Sequence, residues 1–265
     1  MDFFLQGWFG ASPASAAYLM GVLAAAAVFS GLSGFGMSAL GSLSLLVLPP
    51  TTGVPLLMAL SLVIQLLSLR SLWPALRPTV QGHAFRRELA VLVAGGLLGM
   101  PVGLLMLQRS HTQALLLAFG CLLSVYAFAC LVGVRPPRSV RPTPPLGQTV
   151  LVGLAGGVIG GFTAFPSCLL VVRNARLGLP KVYSRALTQL FIVLMQTLGL
   201  GLLLWQRPDA FGPGFWRPFW LVLPGVLAGN ALGLALLKKT GDIGYRQITL
   251  GALGVVGAAL IWRGV

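Results

Sequence analysis

Apolar residues in this chain come in blocks of roughly 20, separated by short basic or proline-rich stretches. A helix rising 1.5 Å per residue needs about that many to cross hydrocarbon roughly 30 Å thick, so each block predicts a membrane-crossing helix. Eight regions emerge: Ala17–Leu48, Val54–Trp73, Leu89–Leu107, Ala114–Val134, Thr149–Val172, Ala186–Trp205, Phe219–Leu237 and Ile243–Trp262. The first is 32 residues long, too much for one straight crossing, and GLSGFG (Gly31–Gly36) interrupts it. The fifth region carries a corresponding interruption, GGFTAFP (Gly160–Pro166), whose proline suits a helix start rather than an interior. Broken backbone in hydrocarbon survives only when buried in protein or lining a watery cavity. Each break therefore marks a discontinuous crossing or a re-entrant hairpin.

A single offset relates the two parts of the chain. Shifted by 130 positions, Val28, Gly31, Phe35, Leu40, Pro50, Leu57, Leu60 and Val63 fall on Val158, Gly161, Phe165, Leu170, Pro180, Leu187, Leu190 and Val193. The same shift places Gly95, Gly99, Gly103, Leu104 and Leu107 on Gly225, Gly229, Gly233, Leu234 and Leu237. Duplication explains one ungapped offset through two separate regions. The expected organisation is a first repeat over 1–134, a Pro/Arg-rich cytoplasmic linker over 135–147, and a second repeat over 148–265.

Composition agrees with the pattern: 57% of residues are hydrophobic, 8% are charged, and mean hydropathy is +0.91. The net charge of +14 would suggest nucleic acid in a soluble protein. Here the 18 Lys and Arg sit between and at the ends of apolar blocks, where they set topology against anionic lipid, and no nucleic-acid partner is expected. The start, MDFFLQGWFG, has no basic region of the kind a cleaved signal carries. Cys121, Cys130 and Cys168 fall inside apolar runs without metal-ligand spacing, so neither disulfide, metal nor cofactor is expected.

Charge distribution discriminates between the two geometries. If all eight regions cross, the split is 10 against 8 and orients nothing. If the first region of each half returns to its own side, the halves become inverted and one face gathers 14 cations. These are Arg70, Arg77, Arg86, Arg87, Arg135, Arg138, Arg141, Arg173, Arg176, Lys181, Arg185, Lys238, Lys239 and Arg246, against 4 on the other face. The rich face is then cytoplasmic, with both termini outside. The expected fold is an all-α polytopic membrane protein of two related four-segment halves, inverted, each opening with a broken or re-entrant helix pair.

The interior chemistry favours an anion. The four acids, Asp2, Glu88, Asp209 and Asp242, all lie near segment ends, leaving no carboxylate at the membrane centre to relay protons or hold a cation. The breaks offer free backbone N–H groups and positive helix ends, with Gly31, Gly34, Phe35 and Gly36 on one side and Phe165 and Pro166 on the other. Ser33, Ser38, Thr163 and Ser167 add hydroxyls, about half of which are expected to satisfy local carbonyls instead. Gln65, with Ser61 and Ser68 on its helical face, and Gln189, Gln196 and Asn230 are expected to face inward, as glue between helices or as substrate contacts. Arg185 begins the sixth block, where its fork suits an oxyanion; snorkelling to phosphate is the simpler role for it and for Arg173 and Arg176. A leucine at position 34 is expected to fill the site without cost to folding.

The run GLSGFGMSALGSLSLLVLPP (Gly31–Pro50), with LLGMPVG (Leu97–Gly103) and VLAGNALG (Val226–Gly233), resembles the sulfite exporter TauE/SafE family of membrane permeases. The second half departs from that pattern, with Thr163-Ala164-Phe165-Pro166 in place of the glycine string and Arg173, Asn174 and Arg176 added. The resemblance implies movement of small anions, such as sulfite or sulfonates, across the cytoplasmic membrane. Partners are then a small anionic substrate and the lipid bilayer, and a homo-oligomer is compatible with the sequence. GLSG also has the G-x-S-G form of intramembrane serine proteases, but no histidine lies in an apolar run to act as base. A non-transporting scaffold would not require broken helices.

Overall fold

The computed structural model describes residues 13–109 and 145–237, and among these all regular structure is helical. The elements are α1 (Pro13–Ser33), α2 (Gly36–Leu40) with a 3-10 turn (Gly41–Leu46), α3 (Pro50–Gln81), α4 (His83–Arg109), α5 (Leu146–Thr163), α6 (Cys168–Leu177), α7 (Lys181–Gln206), a 3-10 turn (Pro208–Phe211) and α8 (Pro213–Leu237). Six of them, α1, α3, α4, α5, α7 and α8, are long and apolar enough to cross a membrane. The fourth and eighth expected regions, most of the Pro/Arg linker and both termini lie outside the described residues.

Helices run past the apolar blocks that predicted them. The block Val54–Trp73 became Pro50–Gln81, a helix that includes Arg70 and Arg77 and interior prolines Pro55, Pro74 and Pro78. Backbone hydrogen bonding continues where the side chains turn polar, so hydropathy marks the buried part of a helix and not its ends. Starts are better marked. Pro49, Pro145 and Pro180 each stand in extended conformation just before α3, α5 and α7, where a missing N–H costs nothing.

Both first regions double back. Tyr18, near the start of α1, donates to the Leu43 carbonyl at 3.2 Å, 25 residues later. Arg173 on α6 donates to Thr149 near the start of α5 at 3.2 Å. These two contacts require each break to reverse the chain, as a re-entrant hairpin does.

Glycines set how closely the hairpins dock. Gly95, Gly99 and Gly103 of α4 lie against the backbone of α5; a Cβ on Gly95 would stand 2.6 Å from the Val150 carbonyl oxygen. Gly229 and Gly233 of α8 lie likewise against α1, with a Cβ on Gly229 2.6 Å from the Ala24 oxygen. Without a hydrophobic drive between helices in lipid, such backbone approach supplies the van der Waals contact that holds them together. The partners exchange under the offset of 130: α4 packs on α5 as α8 packs on α1, while α3 packs on α7.

Candidate substrate site at the two breaks

The two breaks are built alike. Ser33 donates to the Phe29 carbonyl at 2.8 Å and accepts from the Phe35 N–H at 3.3 Å; Thr163 donates to Ile159 at 2.7 Å and accepts from Phe165 at 3.2 Å. The intervening residues take positive φ, Gly34 at 90° and Ala164 at 61°. A left-handed residue ends each helix, and the hydroxyl before it captures the first N–H beyond. Two of the four expected hydroxyls are thus spent locally, as anticipated. Ser33 being so engaged, the G-x-S-G serine is not presented as a nucleophile, and His83, the described histidine, is exposed at the start of α4.

Immediately beyond the breaks Phe35 and Phe165 meet, stacked with ring centroids 5.8 Å apart and planes 11° from parallel. Both are fully buried. The second break therefore reaches the first, and equivalent residues of the two halves touch.

A polar seam runs along α3 and α7 beside this stack. Gln65 donates to the Gly34 carbonyl at 2.6 Å and accepts from Gln189 at 3.0 Å. Gln196 donates to Ser38 at 3.2 Å, and Ser38 pairs with Ser61 at 3.4 Å. All five side chains are buried. Gln189 Oε1, Gln196 Oε1 and Ser167 Oγ are buried without a hydrogen-bond partner among the described residues. Each such atom costs about 1–3 kcal/mol when dry, and rotating either amide by 180° exchanges an acceptor for a donor at the same place.

Arg185 crosses from α7 to the end of α1. Its two Nη atoms donate to Leu32 and Gly31 carbonyls at 2.6 and 2.7 Å, and the residue is 2% exposed. This corrects the expectation of a snorkelling side chain: the guanidinium caps the negative end of α1 and sets a full positive charge beside the first break. Arg173 is also buried, in an ion pair with Glu88. Glu88, expected from sequence near a segment end, sits in the first two turns of α4 with its side chain 10% exposed. Asp209 remains outside, exposed beside Arg207, whose hydrogen bond holds its carboxyl below the usual range.

Other expected site residues lie in close contacts within the fold. Gly31 lies against the backbone of Asn230 and Leu234, Gly36 against Phe29 and Ser30, and Pro166 against Gly156 and Gly160. Asn230 accepts from Ser68 at 3.2 Å, joining α8 to α3. Cys168 is a buried free thiol. Sequence reasoning passed over Glu88, Thr149, Tyr183 and Ser184, which gather around Arg173 and Asn174. A usable signal was present: an arginine inside an apolar run needs a counter-charge, and only four acids were available to supply it.

The family model described as Sulfite exporter TauE/SafE matches residues 18–260. No curated protein and no solved structure is matched by the chain.

Proposed function

The chain belongs to the sulfite exporter TauE/SafE family of membrane transporters, and from that premise we propose that it moves small oxyanions, sulfite or organic sulfonates, past the meeting point of its two breaks. The observation that carries the reading is Arg185, a positive charge buried at the end of α1 where the other half's break converges. A guanidinium in a low-dielectric interior attracts an anion strongly and repels a cation by as much. The seam supplies the unpartnered hydroxyl of Ser167 as a neutral donor, and the amides of Gln189 and Gln196 become donors to a ligand when they turn away from Gln65 and Ser38. Neutral donors hold an anion without trapping it, as a carrier must.

Inverted halves fit this function. Doubling-back first regions and the exchange of partners between α1–α8 and α4–α5 support them, and the two breaks would then be reached from opposite faces. With the buried Arg173 and Arg185 set aside, the cation split is still 12 to 4 and favours a cytoplasmic turn at Gly82; on this reading the chain works in the cytoplasmic membrane.

Flux into proteoliposomes tests the reading. Sulfite or methanesulfonate should move saturably, and Arg185→Gln should lower kcat/KM at least about tenfold, the loss of roughly 1.4 kcal/mol of anion stabilisation, while Arg185→Lys recovers part of it. Normal flux in a folded Arg185→Gln protein, or no flux of any small anion, would overturn it.

A further inference from the structure

A second cluster lies at the mouth of the α5–α6 hairpin, around the second turn of α6. Arg173 is 2% exposed and the Glu88 side chain 10%. Burying a carboxylate and a guanidinium together costs desolvation that their attraction repays only with every hydrogen bond made. Here one is not. Arg173 Nη2 donates to Glu88 Oε1, with a longer contact to Asn174 Oδ1 at 3.4 Å, and Nη1 donates to Thr149 at 3.2 Å. Nε is buried without a partner among the described residues. The other carboxylate oxygen, Oε2, accepts from the Tyr183 hydroxyl at 2.5 Å.

The donor set is larger than its resident anion. Nε and Nη2 form the edge of the guanidinium that grips two oxygens side by side. A carboxylate stretched between Nη2 and Tyr183 has no oxygen left for Nε. An anion with three oxygens can place two on that edge and the third on Tyr183.

We propose that Arg173 and Tyr183, steadied by Thr149, are a second oxyanion station, in which the Glu88 carboxylate is a built-in anion that a small three-oxygen anion displaces. Glu88 belongs to α4, while Arg173, Tyr183 and Thr149 belong to α6, α7 and α5. Displacing it removes the polar tie of α4 to α6 and α7 at this end, while the glycine contacts of α4 with α5 remain. Asn174 keeps α6 on α7 through Ser184 at 3.3 Å, so the station itself stays assembled. Arrival of an anion and loosening of this end become one event. That use in transport rests on the function proposed above; binding at the station does not.

The test reads melting temperature against anion concentration for purified protein in an uncharged detergent, which keeps anionic lipid out. Glu88→Ala and Glu88→Gln should bind methanesulfonate at least about tenfold more tightly than the unaltered chain. They should prefer it to acetate, and Arg173→Gln added to either should abolish the gain. The gain should persist with Arg185→Gln present, so failure of the central site leaves this result intact. A Glu88 variant recovered folded only with methanesulfonate in the buffer also supports the station. Glu88 variants that respond like the unaltered chain, respond equally without Arg173, or cannot be recovered with or without the anion would reduce the cluster to a structural strut.

Discussion

Gly34 and Ser167 were both expected to meet substrate, and the structure separates them. Gly34 has φ of 90°, and a Cβ there would lie 3.3 Å from Gln189 Cγ and 3.4 Å from Arg185 Cγ. Only glycine takes that conformation without strain, so Gly34→Ala should cost roughly 1–2 kcal/mol and Gly34→Leu more. Early melting on a thermal scan is the expected outcome, against the sequence-based expectation that leucine would be tolerated. Ser167 differs because its buried hydroxyl has no partner among the described residues. Ser167→Ala should leave the melting temperature unchanged or slightly higher while weakening apparent anion affinity about tenfold, the scale of one hydrogen bond. A fall in stability without change in affinity would make Ser167 a packing residue.

Among the elements, the joint of α4 with α5 is sterically demanding. A Cβ on Gly103 would fall inside contact distance of the Val158 carbonyl, whereas one on Gly201 of α7 meets nothing within 4 Å. Gly103→Ala should therefore force the helices apart at about 2–3 kcal/mol, and Gly201→Ala should be neutral or slightly stabilising, since alanine favours helix by roughly 1 kcal/mol. Chemical denaturation of both variants in one detergent checks the contrast. Equal effects would mean that glycine here is a matter of helix propensity and not of approach.

For the whole molecule, the arrangement fixes which ends share a face. The turn at Gly82 and the turn at Pro208–Phe211 are separated by the full length of α7 packed on α3. With no other cysteine in the chain, a cysteine at Gln81 should resist an impermeant thiol reagent added outside intact cells, and one at Asp209 should react. Labelling at 81 and not at 209 would reverse the orientation drawn from the cation split. Equal labelling would remove the inverted arrangement.

The sequence by itself determined the class of fold, the breaks and their equivalence, because membrane burial writes itself into hydropathy and a broken helix into glycine and proline. It also placed Gln65, Gln189 and Gln196 correctly inside, since an amide facing lipid is penalised wherever the helix happens to sit. The sequence could not show which residues of different helices meet. Phe35 on Phe165, Arg185 on the end of α1 and Glu88 on Arg173 are contacts across 130, 153 and 85 residues. Glu88 and Arg173 carry the same side chains in a loop as in a buried pair. Their solvation, and with it what they do, was decided only when docking glycines brought α4 against α5 and closed water out.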